Sequence, residues 1–433
     1  MEQPGLYHRR LRETVDWRLV FCYLALVLIG WLNIYASIHT PEMSNPLDWG
    51  SRSGKQFIWI VSALVLAVTI LFLVSPRLWE VISTPAYILV LALLVLVIFV
   101  SKDVKGSHSW FEIGPVKFQP AELSKITTSM MLALMMSKPN FRISNVRDFA
   151  KAALVIGVPM LVIVAESETG SALVYVGFIL MLYREGLSGW FPGFIALAIL
   201  LFILTLTTHW WISAALLGCI CLGYWLNVLR LTRREARMTR RRALRRSVAG
   251  LLAGLVFIFA TNFIFETILQ PHQRARIEVL LGLKDDPSGV GYNVRQSKIA
   301  IGSGGLLGKG YLKGTQTAFG FVPEQSTDFI FCTVGEEWGF VGCLAVIALY
   351  VTMIFCIIQD ADKAREGFTR IYGWCLACCL SMHLFINIGM TVGLMPVIGI
   401  PLPFLSYGGS SLWAFTAMLF IFIALYRQEK KYF

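Results

Sequence analysis

Apolar runs of about 20 residues recur along the whole chain, and each is long enough to cross a hydrocarbon core about 30 Å thick at about 1.5 Å per residue. Twelve candidate spans follow from this pattern: Leu19–Ala36, Phe57–Leu73, Pro85–Val100, Ala121–Met136, Ala152–Ala165, Ser171–Tyr183, Phe191–Leu206, Trp211–Leu229, Val248–Leu269, Phe329–Ile357, Ile371–Leu394 and Leu405–Leu425. Lipid offers no partners to backbone N–H and C=O groups, so runs of this kind must be helical. The expected architecture is all-α: a polytopic integral membrane bundle of about twelve helices, taken as one domain over residues 1–433. Of the 433 residues, 56% are hydrophobic and 15% charged, against about 45–50% and about 25% in soluble domains. A soluble enzyme is excluded.

A formal charge of +12 would suit nucleic acid, but its distribution does not. The densest block, Arg230, Arg233, Arg234, Arg237, Arg240, Arg241, Arg242, Arg245 and Arg246, is sandwiched between two apolar runs. A short basic loop between spans is the positive-inside signal and also attracts anionic headgroups. Membrane lipids are therefore expected as partners and nucleic acid is not. Arg9, Arg10 and Arg12 precede a first span read as uncleaved, which puts the N-terminus in the cytoplasm. Arg77, Lys138, Arg142, Arg147, Lys151, Arg184, the arginine block, Lys363, Arg365, Arg370, Arg427, Lys430 and Lys431 then share that side, and an even number of spans returns the C-terminus to it. The outer side takes the Glu166–Gly170 turn and three longer segments, His39–Gln56, Ser101–Pro120 and Gln270–Asp328. The last is too long to be idle and is expected to pack on the outer face of the bundle. The nine cysteines match no zinc template, and the six histidines show no metal spacing.

Several polar constellations interrupt this apolar background. The long outer loop carries Gly289, Gly291, Gly302, Gly304, Gly305, Gly308, Gly310 and Gly314, interleaved with Lys298, Lys309 and Lys313. Glycine lets backbone N–H groups approach an anion, so such a loop suits phosphate or pyrophosphate; the same residues equally suit a loop that needs several turns. It is not a Walker A sequence. Asp328 stands where the loop gives way to an apolar span, a position that suits a general base. Helix capping, with Thr327 as N-cap, fits equally. Glu122 and Lys125, three apart after Pro120, place ionisable groups inside a span, where such groups pair or line a polar cavity. Glu166 and Glu168 share a tight outer turn, read either as an acid pair or as capping. Prolines and glycines from Pro396 to Ser410 break the backbone at membrane depth, which requires burial in protein or a cavity.

In order, the chain carries Gly106-Ser-His-Ser-Trp110, Phe118-Gln-Pro-Ala-Glu122-Leu-Ser-Lys125, Gln296-Ser-Lys-Ile-Ala-Ile-Gly-Ser-Gly-Gly305, Gly308-Lys-Gly310 and Gly314-Thr-Gln316. Pro323-Glu324, Thr327-Asp328-Phe-Ile-Phe331, Glu336-Glu337, Pro401-Leu-Pro403 and Ser406-Tyr-Gly-Gly-Ser410 follow. This ordered set resembles the SEDS family (shape, elongation, division and sporulation), and the Lys298 context with Gly314-Thr-Gln316 matches its elongation branch. The resemblance implies a ten-span core, here with an extra hairpin over 211–269, and a peptidoglycan glycosyltransferase of the cytoplasmic membrane. Such an enzyme polymerises lipid II: the sugar hydroxyl of one molecule attacks C1 of the other's MurNAc, with inversion and loss of undecaprenyl pyrophosphate. By carry-over Asp328 is the general base, Glu122 and Lys125 the polar pair of a central cavity, and Trp110 the outer-loop tryptophan. Arg274, Arg276, Lys298 and Lys309 are candidate pyrophosphate contacts on charge and position, and Glu168, Glu324 and Ser406 are further substrate-binding candidates. No organic cofactor is implied; a divalent cation, Mg or Mn, would shield the pyrophosphate. The expected partners are a class B penicillin-binding protein transpeptidase and the elongation machinery.

Three departures from the family pattern stand out. Its Gln-Pro-Asp-Leu-Gly-Thr turn is Glu166-Ser-Glu168-Thr-Gly-Ser171 here, the histidine common before Thr-Asp is Ser326, and the arginine-bearing hairpin is extra. Two other readings compete with the polymerase: a lipid II flippase, for which Glu122 and Lys125 would matter most, and a scaffold that only positions a transpeptidase.

Overall fold

Each of the twelve expected spans is helical. The computed structural model describes residues 15–39, 45–101, 109–113, 116–231, 237–269, 271–284 and 290–432. The expectations at Arg9, Arg10, Arg12, residues 106–108, Arg233, Arg234 and Gly289 lie outside them. Among the described residues nine helices are long and apolar enough to cross a membrane, and Thr169–Arg184 and Gly193–Thr207 are shorter apolar helices. The remaining expected span, Ala121–Met136, falls in the helix Pro120–Met136, which is polar-rich: Glu122, Ser124, Lys125, Thr127, Thr128 and Ser129 are all buried in it. A helix with that composition must face protein rather than lipid.

Helix α1 (Trp17–Ile38) is capped by Asp16, whose carboxylate accepts from Arg18 N. Helix α2 (Arg52–Val68) is capped by Ser51 and continues through a π-turn, Thr69–Leu73. Helix α3 (Pro76–Val100) starts nine residues before the expected Pro85, with Pro76 in its first turn and Pro85 inside. Membrane helices accommodate an internal proline because neighbouring groups satisfy the freed carbonyl. A two-stranded ribbon follows, β1 (Phe111–Ile113) antiparallel to β2 (Val116–Phe118), with Phe111 opposite Phe118. Helices α4 (Pro120–Met136) and α5 (Val146–Ala165) lead to a span broken at Gly177 into α6 (Thr169–Val176) and α7 (Phe178–Arg184). A Cβ on Gly177 would meet Met382 Cγ at 2.4 Å, so the break coincides with a close approach only glycine allows.

After α8 (Trp190–Thr207) and α9 (Trp210–Leu231), α10 (Arg237–Phe263) begins well before the expected Val248. The second half of the arginine block is therefore the start of a helix rather than a loop, as good helix formers with solvated side chains permit; Arg241, Arg242, Arg245 and Arg246 are exposed on it. The long outer segment is likewise not one loop: it contains α11 (Pro271–Leu280) and α12 (Val290–Ser303) before a run of turns. Helix α13 (Ile330–Lys363) kinks at Gly339, where φ is 66°. Helix α14 (Gly367–Thr391), the irregular stretch after it and α15 (Gly409–Tyr432) complete the chain.

The chain forms two compact units, one from the residues before Ser188 and after Tyr292, the other Ser188–Tyr292. In the first, one continuous apolar core runs through α1, α4, α13, α14 and α15 and includes the fully buried Tyr23, Tyr175, Tyr350 and Tyr372. In the second, Leu201, Leu217 and Ile258 form a small core.

Candidate active site

The stretch between α14 and α15 contains Pro401 and Pro403, which lack an N–H, and it forms no regular ladder. Several of its carbonyls are satisfied by side chains instead. Asn387 Nδ2 donates to Ile400 O (2.7 Å) and to Asp328 O (2.9 Å), tying this stretch to the candidate base. Ser406 Oγ donates to Thr327 O (2.6 Å) and accepts from Leu402 N (2.8 Å), and Tyr407 N donates to Ser326 O (2.8 Å). Gly399, at φ 78°, makes room for the carboxylate: Asp328 Oδ2 lies 3.2 Å from where a Cβ would stand. Asp328 is half-buried, while the next two residues, Phe329 and Ile330, are inside the core. The carboxylate thus sits at the rim of the bundle on a turn fixed from two sides.

Thr327 does not cap α13. The N-cap position is Phe329, without a side-chain bond. Thr327 Oγ1 donates instead to Glu324 O and Glu324 Oε2, both at 3.2 Å, because Glu324 adopts φ 51° and closes a turn onto it. Ser326 holds Arg52 Nη1 at 2.6 Å, and the guanidinium lies 6.0 Å from the Tyr407 ring. Arg52 was not among the expected site residues; an arginine opening an apolar span on the arginine-poor face was its only signal.

Glu122 and Lys125 form an ion pair at 2.8 Å, 3% and 1% exposed. Lys125 Nζ also lies 3.0 Å from His383 Nε2, and His383 Nδ1 lies 2.9 Å from Pro401 O. The sequence marked His383 only as one of several scattered histidines. The Glu166–Glu168 turn reaches the same stretch: a Cβ on Gly170 would meet Ile400 Cγ1 at 2.7 Å and Ile398 Cγ2 at 2.9 Å. Glu168 accepts from Ser109 Oγ at 2.6 Å, next to the half-buried Trp110. Glu166 is fully buried with neither oxygen bonded among the described residues. Burial, with the Glu168 charge beside it, pushes its carboxyl up to about 8. Asp328 and Ser406 thus meet within residues 398–406, and the Glu122–Lys125 pair reaches the same stretch through His383.

The glycine-lysine loop does cradle an anion, but an internal one. Glu336, fully buried at the start of α13, accepts from Thr315 N (2.8 Å), Gln316 N (2.8 Å), Thr317 N (2.9 Å) and Thr317 Oγ1 (2.8 Å). Lys309 Nζ completes the set at 2.6 Å, so this lysine is engaged by Glu336. The glycines serve close packing on α13: Cβ atoms on Gly304 and Gly308 would stand 2.0 Å from Gly335 O and 2.1 Å from Glu337 O. Lys298 is exposed, its stem laid against Gly393. Arg274 and Arg276 are on α11 of the second unit, where Arg274 pairs with Glu278 at 2.8 Å and lies 5.0 Å from the Phe265 ring.

The profile of the cell cycle protein family of FtsW, RodA and SpoVE matches residues 16–219 and 245–431. Peptidoglycan glycosyltransferase MrdB of Escherichia coli K12 is 32% identical over 372 residues, 86% of this chain and 84% of that one. Peptidoglycan glycosyltransferase RodA of Treponema pallidum is 30% identical and covers 93% of this chain and 95% of its own. A chain from a peptidoglycan synthase complex that coordinates polymerisation and crosslinking superposes with TM-score 0.68 at 27% identity, covering 96% of this chain and 98% of that one. RodA of Thermus thermophilus shares the fold, with TM-score 0.60 at 24% identity over 96% of this chain and 97% of its own.

Proposed function

The chain belongs to the FtsW, RodA and SpoVE family and is a peptidoglycan glycosyltransferase, and from that premise we propose that it polymerises lipid II on the outer face of the cytoplasmic membrane during cell elongation, with Asp328 as general base. The observation that carries this reading is the Asp328 carboxylate, half-buried at the bundle rim on a turn held by Asn387 and Ser406. Preorganisation of that kind suits a group that must meet a hydroxyl in a fixed direction. Asp328 takes the proton of the acceptor sugar hydroxyl as its oxygen bonds to C1 of the donor MurNAc. The C1–O bond to the pyrophosphate breaks, the configuration at C1 inverts, and undecaprenyl pyrophosphate leaves with the electron pair.

Lys298, exposed on α12, is the cation its exposure favours for meeting the pyrophosphate, and Trp110, Glu168 and Glu324 are the further substrate contacts this reading assigns. Among the described residues no three His, Cys, Asp or Glu side chains group as metal ligands. A divalent cation, Mg or Mn, would shield the charge of the diphosphate. A class B penicillin-binding protein is the partner this reading calls for, with both termini of the present chain cytoplasmic. A flippase is not favoured: the relatives are named glycosyltransferases, and the ion pair that transport would need is sealed against His383.

The test is glycan-strand formation from lipid II by the purified protein, alone and with its class B partner, comparing wild type with Asp328→Ala. Loss of a general base lowers the rate by about 10²–10⁴-fold, with the variant still folded and bound to its partner. Full polymer from the variant sinks Asp328 as the base. No polymer from an intact wild-type complex sinks the enzyme reading.

A further inference from the structure

We propose that His383 is a positioning residue for the transferase reaction, its imidazole bridging the Glu122–Lys125 pair to the Pro401 carbonyl and so fixing the stretch against which Asp328 is set. The inference rests on the glycosyltransferase reading above. Residues 400–403 cannot build a backbone ladder of their own, because two of the four are proline. Leu402 O accepts from Leu405 N and Ser406 N, and the other three carbonyls are held by side chains from the neighbouring helices: Asn387 donates to Ile400 O, His383 to Pro401 O and Tyr350 to Pro403 O. Of these three, His383 also meets the buried charge pair.

The geometry fixes the imidazole's protonation. A lysine ammonium has donors only, so at 3.0 Å from Lys125 Nζ the Nε2 atom must accept. The single ring proton then sits on Nδ1 and donates to Pro401 O at 2.9 Å. Only the neutral ring in this tautomer satisfies both neighbours, and a second proton would point at the ammonium. The Phe415 ring closes the remaining side, with its centroid 4.8 Å from the imidazole at 82° and 4.9 Å from Lys125 Nζ. His383 is fully buried. Without it, a buried ammonium loses an acceptor and a buried carbonyl loses its donor, and the two can no longer be held at a set spacing. One residue upstream of that carbonyl, Ile400 O shares the Asn387 amide with Asp328 O. A shift in the 400–403 stretch is therefore transmitted to the base.

The experiment compares His383→Gln, His383→Asn and His383→Leu in the full chain with its class B partner, reading kcat and KM for lipid II polymerisation and the unfolding temperature. Gln is long enough to accept from Lys125 and donate to Pro401 together; Asn is polar but too short to reach both. His383→Gln is expected to stay within about threefold of wild type, while His383→Asn loses about 10–100-fold in kcat with KM within about threefold, the signature of misplacement rather than lost binding. The same pattern is expected of His383→Leu where it folds; if it does not, the Gln and Asn pair decides. Equal activity of Gln and Asn, at either the wild-type or the reduced level, overturns the bridge. Absence of polymer from the wild type overturns the glycosyltransferase reading itself and is thereby distinguishable.

Discussion

The two units of this molecule span with different chemistry. The first is threaded with buried polar groups: Lys125, Glu122, His383, Asn387 and Glu336 all lie inside it, each bonded to a partner. In the second, the buried polar side chains among the described residues are small hydroxyls, such as Ser247 donating to Cys221 O and Thr205 to Ser213 Oγ, and Leu201, Leu217 and Ile258 form its apolar core. A buried charge away from water costs several kcal/mol unless it is partnered, so a bundle that needs only to cross a membrane has no reason to carry one. The internal stretch the family profile leaves unmatched, 220–244, falls inside the second unit, while the profile matches the rest of that unit. Cost identifies the working half. The comparison predicts that polar substitutions in the first unit are severe and that charge removal in the second is mild.

The largest effect short of the catalytic turn is expected at Glu336. Its carboxylate is the sole anion shown among Lys309 and the N–H groups of Thr315, Gln316 and Thr317. Glu336→Ala orphans these donors together. Breaking a buried pair by removing one partner costs about 3–5 kcal/mol, so a fall in unfolding temperature and new proteolytic cleavage within residues 304–317 are expected. Protection equal to wild type in that stretch would mean the glycine packing on α13 suffices, and the first unit would be less dependent on its buried charge than argued.

Sequence reading recovered the helices because lipid leaves the backbone no alternative, and the apolar period reports that directly. It also singled out Asp328, Glu122 and Lys125, because an ionisable residue inside or beside an apolar run is conspicuous. It did not recover what these residues touch. Arg52 is more than 270 positions from Ser326 in the sequence, and His383 meets Lys125 across a separation of 258; only tertiary packing joins them. The glycine loop shows the limit most clearly. Its pattern correctly implied backbone N–H groups around an anion, but nothing in the spacing distinguishes a ligand's phosphate from the chain's own Glu336. Thr327 fails in the opposite way: its residue type and position fit an N-cap, but the φ of 51° at Glu324 bends its hydroxyl onto another carbonyl.

A smaller, pH-dependent effect is expected at Glu166, where the family pattern has glutamine. Burial raises this carboxyl from 4.5 to about 8, so the folded chain retains a proton that the unfolded chain releases. Stability from this group is complete below about pH 4.5 and is lost progressively as pH rises through about 8. Glu166→Gln keeps the shape and cannot ionise. Its unfolding temperature should match wild type near about pH 5 and exceed it increasingly toward about pH 9. A difference that stays flat over that range would show that Glu166 gains a partner when ionised, and that the first unit tolerates a charge at this turn without cost.

The smallest effect is expected in the second unit. Arg241, Arg242, Arg245 and Arg246 are exposed on the first turns of α10, and exposed substitutions away from caps and cores usually change stability by no more than about 0.5 kcal/mol. Replacing all four with glutamine preserves length and helix propensity while removing the charge. Polymerisation by the full chain with its partner should stay within about twofold, because the bonds shown for Asp328 O, Glu122 and Lys125 are made by Asn387 and His383 and within the Glu122–Lys125 pair. Orientation should also hold, since the basic residues Arg184, Lys363 and Arg370 beside other spans are unchanged. Cysteine labelling at either end of α10 separates the two readouts. Reversed labelling with reduced polymer would assign the arginines to topology alone. Correct labelling with a loss beyond about tenfold would break the comparison, because charge in the second unit would then contribute to the reaction that the first unit's geometry accounts for.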